Sequence, residues 1–390
     1  MAVPAMTASV ARGDADALAA RSAEGFCAIL RFGKAAAKRL RTDRTSITAF
    51  LLMKLTIPAI ALALVATVVV AHADVKLDDH WTFSGWAAGA YMNYQPNAGD
   101  KVDGVFDASK PIPGGADAND ILARVTANYK PLTAVASINW FPKVSTNEVS
   151  LLDAYATLDV GNGFTLTGGK FLSYLGYESF YPSLMDQISY ANGDFLAPIP
   201  GYHSGGRLDF SSKAWSGGVA VVDSVYSPKG PTRGDGEIKH NGGIEAYVTY
   251  TAIENLTLWG GVAHDTKGGF EPHDVTTVDL WASYQLTKPA RIAAEFVNKD
   301  GGTGNRGYNW LGFLNYTLSD HLSSTFRISG EEMRDDGPSF TKFTVCPAYR
   351  LNANLVFRTE YSRYEYRSYA PAGVAVSDAD FYGVQAVLTW

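Results

Sequence analysis

The stretch FYGVQAVLTW, residues Phe381–Trp390, decides the fold because it alternates strictly between two kinds of side chain. In a β-strand its even-numbered residues share one face, and these include Tyr382, Val384, Leu388 and Trp390. Many chains trail off in a disordered polar tail, but this alternation continues to a terminal tryptophan. The pattern therefore predicts a strand that is structural to its last residue and needs a partner strand.

The same period of two recurs throughout residues 74–390. The segments ILARVTANY (121–129), LLDAYATLDV (151–160) and VDLWASYQL (278–286) each place apolar side chains on one face and more polar ones on the other, which indicates β-strands. No apolar run in this region is long enough to span a membrane as a helix. Sixteen strands are predicted: 81–94, 119–129, 133–141, 151–160, 163–172, 203–211, 215–226, 242–250, 256–264, 275–286, 290–299, 307–318, 322–332, 340–350, 355–366 and 380–390.

The connections between these strands alternate between short and long. The short ones are 130–132, 161–162, 212–214, 287–289 and 319–321. The longest are 95–118, 173–202, 227–241 and 367–379. The alternation predicts one rim of tight turns and an opposite rim of large loops.

Two architectures use strands with one apolar face, a soluble β-sandwich and a membrane barrel. An even strand number lets the first strand pair with the last and removes both sheet edges. Aromatic residues lie near predicted strand ends, at Trp81, Tyr94, Tyr129, Trp140 and Phe141, as in interfacial girdles. We predict an all-β fold, a transmembrane antiparallel β-barrel of about 16 strands with short periplasmic turns and long extracellular loops.

The N-terminal region has the pattern of a secretory signal. Met53 and Lys54 precede an apolar run of 16 residues, Leu55–Val70, and then the small-residue site AHAD. This pattern predicts a signal peptide over 53–73 with cleavage between Ala73 and Asp74; an uncleaved anchor is the rival interpretation. Residues 1–52 are interpreted as upstream sequence from a misassigned start, or as an extended basic n-region, and 74–390 as the barrel.

The charge balance of the predicted mature chain excludes one class of partner. Without the nine basic and four acidic residues of 1–73, 24 basic and 35 acidic residues remain, a net charge of −11. This balance argues against nucleic acid as a partner. Cys346 is the single cysteine that remains, so no internal disulfide is expected.

Several motifs resemble one family. TLTGGKFLSYLGYESF (165–180), PIPGYHSGGRLDF (198–210) and VFRTEYSRYEYR (356–367) are similar to segments of the OmpL-like β-barrel porin family. The end of the chain, with Leu388 and Trp390, is similar to the assembly signal of Gram-negative outer-membrane proteins, in which Phe is the usual last residue. The resemblance implies an outer-membrane channel, with the barrel assembly machinery, membrane lipid and lipopolysaccharide as partners, and general porins suggest a possible homotrimer. Pro347 fits poorly inside a strand because it lacks a ladder donor.

The longest connection, Ser173 to Tyr202, is predicted to fold into the lumen, since sixteen strands enclose a passage too wide for wall side chains to fill. It carries Glu178, Asp186 and Asp194 and no Lys or Arg. We predict these three carboxylates at the pore constriction. Its aromatic residues (Tyr174, Tyr177, Phe180, Tyr181, Tyr190, Phe195 and Tyr202) either pack the loop onto the wall or form a sugar-stacking surface.

Alternation places four arginines on the lumen side of the wall: Arg124, Arg207, Arg327 and Arg358. Opposite an acidic loop they would set up a transverse field across the pore. Alternatively they neutralise neighbours such as Asp209 and Glu360.

The function predicted from these features is passive diffusion of small hydrophilic solutes, with a mild preference for cations because of the acid-only loop and the net charge. The alternatives are a sugar- or anion-selective channel, and a structural or adhesive barrel plugged by the loop. A lipid hydrolase would need a serine beside a rim histidine such as His264, and the sequence places none there. No enzyme motif, metal site or cofactor site is predicted.

Overall fold

The computed structural model describes residues 75–99, 102–105, 120–140, 149–191, 195–226, 242–266 and 273–390. Its strands are β1 (Val75–Lys76), β2 (Trp81–Pro96), β3 (Val102–Val105), β4 (Asp120–Tyr129), β5 (Leu132–Trp140), β6 (Val149–Gly161), β7 (Phe164–Leu172), β8 (Tyr202–Ser211), β9 (Trp215–Val222), β10 (Gly243–Tyr250), β11 (Leu256–Asp265), β12 (Val275–Thr287), β13 (Ala290–Asp300), β14 (Arg306–Thr317), β15 (Leu322–Met333), β16 (Ser339–Arg350), β17 (Leu355–Arg367) and β18 (Asp378–Thr389). Short 3-10 turns occupy Pro182–Leu184 and Pro371–Gly373.

Sixteen of these strands form a closed antiparallel barrel. From β4 to β18 each strand pairs with its successor, and β2 pairs with both β4 and β18. The short strands β1 and β3 add pairs to β2. The predicted fold class is thereby confirmed, with no free edge in the wall. No helix in the described parts of the chain is both long and apolar enough to span a membrane.

The strand boundaries agree with prediction to within four residues. The largest difference is β9, which ends at Val222 instead of residue 226, because the Asp223 carboxylate accepts from the amides of Ser204 and Ser224 and turns the chain. Tyr202, placed in the loop by the sequence, is the first residue of β8. The loop therefore spans 173–201.

Pro347 is tolerated inside β16 without a change of register. Its strand pairs with β15 through Ser324↔Pro347. On the other side, β16 pairs with β17 through Val345↔Tyr361 before Pro347 and through Ala348↔Arg358 after it, and the register is the same in both places. The missing donor of Pro347 thus interrupts one ladder locally and leaves the strand intact.

The two faces of the wall differ as membrane and lumen require. On β18 the outward Tyr382 and Val384 are 47% and 41% exposed, whereas the inward Phe381 and Gln385 are buried. Trp81, Tyr129 and Trp140 are exposed near strand ends, as an aromatic girdle requires. Tyr94 was wrongly assigned to that girdle, because its side chain is buried and its hydroxyl lies 2.9 Å from that of Tyr366; Phe141 is outside the described residues.

The seam between the last and first wall strands extends to the final residue. The Trp390 amide donates to the Gly85 carbonyl at 3.0 Å, and the Gly85 amide donates to the Trp390 carbonyl at 2.8 Å. The indole lies over Gly85, where an added Cβ would come 2.9 Å from Trp390 Cζ2. It also stacks on Phe83 with ring centroids 6.4 Å apart. The terminal tryptophan therefore closes the barrel through backbone and side chain together.

Candidate functional site

The described parts of the loop, 173–191 and 195–201, lie inside the barrel and are hydrogen-bonded to wall strands on several sides. Its first residues contact β10, its middle contacts β4, β15 and β17, and Phe195 and Leu196 return to β15. Apolar loop residues pack on the same wall. Ile188 joins a buried cluster with Met92 and Phe381, and Leu175 joins one with Phe171. The loop is thus a packed part of the lumen.

Five wall carboxylates, here called the clamp carboxylates, accept hydrogen bonds from backbone amides of the described loop residues. Two of them each bind two consecutive loop amides. Glu360 accepts from Ile188 at 2.6 Å and from Ser189 at 3.0 Å, and Glu331 accepts from Phe195 at 2.8 Å and Leu196 at 2.5 Å. The other three bind single amides: Glu245 that of Tyr174, Asp279 that of Gly176 and Glu295 that of Tyr177.

Four buried wall cations bind loop oxygen atoms in the complementary way. Arg327 reaches the Ser189 carbonyl at 2.8 Å, and Arg358 reaches those of Pro182 at 2.8 Å and Met185 at 2.5 Å. Lys342 donates to the Tyr190 carbonyl at 2.8 Å and Lys299 to that of Leu196 at 3.1 Å. Hydrogen bonds to charged groups are stronger than neutral ones, so these contacts fix the path of the loop backbone.

The three loop carboxylates predicted from the sequence occupy different surroundings. The Glu178 side chain is 6% exposed and lies 2.5 Å from Arg327, and it also accepts from Gln187 and the Ala191 amide. The transverse-field interpretation places loop acids opposite the wall arginines, whereas Glu178 and Arg327 are in direct contact. Asp186 pairs with Arg291, and both side chains are more than one-third exposed. Asp194 lies outside the described residues.

The four predicted wall arginines divide into two pairs. Arg327 and Arg358 are buried beneath the loop. Arg124 lies 2.6 Å from Asp153 and Arg207 lies 3.3 Å from Asp209, and their side chains are 26% and 22% exposed. The neighbour-neutralising interpretation thus describes Arg124 and Arg207, whereas Arg358 binds loop carbonyls and Gln385 in place of Glu360.

Most loop aromatics pack against wall aromatics. Tyr181 lies 4.7 Å from Trp86 and Phe180 lies 5.5 Å from Tyr202, measured between ring centroids. Phe195 contacts Phe340 at 5.9 Å. Such pairs stabilise beyond their area burial, so they help to seat the loop.

At the rim of long loops lie His264, which the sequence analysis considered, and Asp335. His264 Nδ1 lies 2.9 Å from the Thr276 hydroxyl, whereas Asp265 accepts from Ser224 and Tyr226. Asp335 is bound by Arg306, with Nε 2.7 Å from Oδ2, and this bond holds the pKa of Asp335 below its usual range. Within the described ranges no group of three His, Cys, Asp or Glu side chains is arranged to hold a metal ion.

The clamp carboxylates were missed by sequence reasoning, although a signal was present. Each falls at an inward position of its strand, where a buried acid needs a partner. The sequence shows the acids but not that loop amides supply the donors, because these amides lie 71 to 172 residues away in the chain.

A closed sixteen-strand barrel with an apolar outer face, a polar lumen and an inward loop defines the class of outer-membrane porins. The chain belongs to the family described as Putative beta-barrel porin-2, OmpL-like, whose sequence profile matches residues 82–388. It is accordingly an outer-membrane channel protein of Gram-negative type.

Solved structures share the fold at low identity. OmpF of Salmonella typhi, in complex with daunomycin, is 11% identical with a TM-score of 0.58, covering 81% of this chain and all of that one. The outer-membrane channel DcaP of Acinetobacter baumannii is 12% identical, with a TM-score of 0.56 and coverages of 82% and 100%. The trimer form of OmpT of Vibrio cholerae is 13% identical, with a TM-score of 0.52 and the same coverages. No curated protein sequence matches the chain significantly.

Proposed function

We propose that the barrel is a passive diffusion channel for small hydrophilic solutes with a mild preference for cations. The observation that carries the cation preference is a charge surplus: among the described residues, nine Asp and Glu are buried against four Lys and Arg. Five of these nine acids are the clamp carboxylates, which are bound by loop amides that carry only partial charge. Carboxylates behind the loop therefore make the potential of the narrow passage negative.

The passage itself runs beside one side of the wall. Inward residues of β13 to β18 are mostly buried against the loop, whereas Arg124, Tyr155, Arg207 and Asp209 on β4 to β8 are half-buried. Solutes would pass between these residues and the loop. Arg124 is balanced by Asp153 and Arg207 by Asp209, so this side of the passage adds no net charge and the cation preference is modest.

Asp186 gives the cleanest test of the charge preference, because it is the described loop carboxylate that is partly exposed. In planar bilayers with a salt gradient, Asp186→Asn is expected to shift the zero-current potential toward anions, since it removes one negative charge and leaves Arg291 unpaired. The shift should be largest below about 0.1 M salt, where the screening length exceeds ~10 Å and the charge acts over a longer distance.

The matched control is Asp320→Asn, which removes the same charge from an exposed turn between β14 and β15. If wild type, Asp186→Asn and Asp320→Asn all have the same reversal potential at low salt, Asp186 does not lie at the constriction and the constriction assignment is wrong. The same recordings distinguish a pore from a plugged barrel. Loop contacts on several sides of the wall favour the plugged alternative. If the inserted protein conducts no current in planar bilayers, the plugged barrel is the correct interpretation.

The assembly proposed for the channel is a homotrimer embedded in outer-membrane lipid and lipopolysaccharide and inserted by the barrel assembly machinery. The trimeric form of OmpT supports it by likeness of fold. In planar bilayers, a trimer is expected to close in three current steps of equal size after each insertion event. Closure in a single step would contradict a trimer. We propose no catalytic role, and hydrolysis of lipid by the purified barrel would contradict this.

Export is proposed to follow cleavage between Ala73 and Asp74, a site that lies outside the described residues. N-terminal sequencing of the protein from outer-membrane fractions is expected to begin at Asp74. A mature N-terminus before Leu55 would exclude both this site and Met53 as the start.

A further inference from the structure

We propose that the lumen contains a stacking site for pyranose sugars, formed by an aromatic strip and an adjoining Arg–Asp pair. The strip consists of Tyr174, Tyr247, Trp259 and Trp281. The pair consists of Arg207 and Asp209. The inference rests on the proposed function, because the sugar must enter the lumen, and it gives that function a substrate class.

The strip is continuous across three neighbouring wall strands and the start of the loop. Ring centroids are 4.5 Å apart for Tyr174 and Tyr247, 6.1 Å for Tyr247 and Trp259, and 5.7 Å for Trp259 and Trp281. The last two pairs are nearly parallel, with interplanar angles of 17° and 6°. Trp259 and Trp281 are direct cross-strand partners, so the rings lie at one level of the lumen.

Two inward glycines let these rings lie against the wall. An added Cβ on Gly261 would come 2.3 Å from Trp259 Cη2, and one on Gly218 would come 2.9 Å from Tyr247 Cε1. Side chains at these positions would lift the rings away from the backbone. Tyr174, Tyr247 and Trp281 remain half-buried, so the strip keeps apolar surface that the loop does not cover.

The polar end of the strip offers donors and acceptors together. Tyr174 donates to Asp209 Oδ1 at 2.8 Å, and Arg207 Nε lies 3.3 Å from Asp209 Oδ2. The Arg207 guanidinium lies over the rings of Phe171 at 4.8 Å and Tyr174 at 5.5 Å, which fixes its plane. At the other end, Trp281 Nε1 is buried and has no hydrogen-bond partner among the described residues, so the polar contacts for a solute lie at the end with Arg207 and Asp209.

This combination matches the chemistry of a pyranose. Such a ring has an apolar C–H face that gains from contact with aromatic surface and a rim of hydroxyls that both donate and accept. The pair of Arg207 and Asp209 is neutral overall, which favours an uncharged solute over an ion. Loop packing alone explains Tyr177, which meets Trp281 edge-on at 64°, but it does not require the neutral pair beside the half-buried strip.

The test measures binding and conduction separately. Intrinsic tryptophan fluorescence of the folded protein, in a detergent without a sugar head group, is titrated with maltotriose and with mannitol, which has hydroxyls but no ring face. Maltotriose should produce a saturable change and interrupt the ion current in bilayers, and mannitol should do neither. Tyr247→Leu should weaken maltotriose binding about tenfold, or ~1.4 kcal/mol.

The matched control is Tyr250→Leu, on the same strand but on the outer face, where Tyr250 contacts Trp215; its binding and conductance should equal those of wild type. The inference is overturned if maltotriose gives no saturable signal, if mannitol acts equally, or if Tyr247→Leu binds as wild type does. Tighter binding of benzoate than of maltotriose would also overturn it and assign the strip to planar anions. If the protein conducts ions but does not bind maltotriose, the sugar site is wrong and the diffusion proposal stands. Saturable sugar binding without conduction supports the site and removes the diffusion proposal.

Discussion

Replacing Glu331 and Glu360 together by alanine is expected to raise single-channel conductance severalfold. Each of these two clamp carboxylates accepts hydrogen bonds from two consecutive backbone amides of the loop. Glu360 binds those of Ile188 and Ser189, and Glu331 binds those of Phe195 and Leu196. A buried donor left without its partner costs ~1–3 kcal/mol, so the double variant loses on the order of several kcal/mol of loop binding. A released loop would let water and ions into the space that it fills against β15 to β18.

The measurement is conductance in planar bilayers, with limited proteolysis of the folded protein as a second readout of loop release. Glu365→Ala is the matched control, because Glu365 is exposed on β17, the strand that carries Glu360. If the double variant conducts like wild type and its loop stays protected from protease, the clamp carboxylates are not what holds the loop.

The barrel could be predicted from the sequence because its determinants are local. Alternation of apolar and polar residues fixes which face of each strand meets lipid, and turn length fixes which strands are neighbours. Strand β12 shows this: outward Leu280 is 53% exposed and inward Asp279 is buried, as period two requires. Errors arose where a side chain redirects the backbone, as Asp223 does at the end of β9.

The interior of the lumen could be predicted only in outline. Composition identified the loop and its acids, but the position of Glu178 depends on Arg327, which is 149 residues away in the chain. Period two assigns both to the lumen and cannot distinguish a contact from a separation across water. Pairings of this kind depend on how the loop folds back, and no local pattern records that path.

Deleting Trp390 is expected to lower strongly the amount of folded barrel in the membrane. The deletion removes both backbone bonds between Trp390 and Gly85 and uncovers the glycine on the outer face. A barrel is stable in lipid only when every backbone group is paired, and the closing seam is the pairing of greatest sequence separation, so it forms against the largest loop entropy. The measurement is the heat-modifiable fraction on gels of membrane samples. Trp390→Phe keeps both backbone bonds and a ring over Gly85, so it should assemble like wild type. If the deletion variant also gives a folded yield near that of wild type, the seam closes without its last residue.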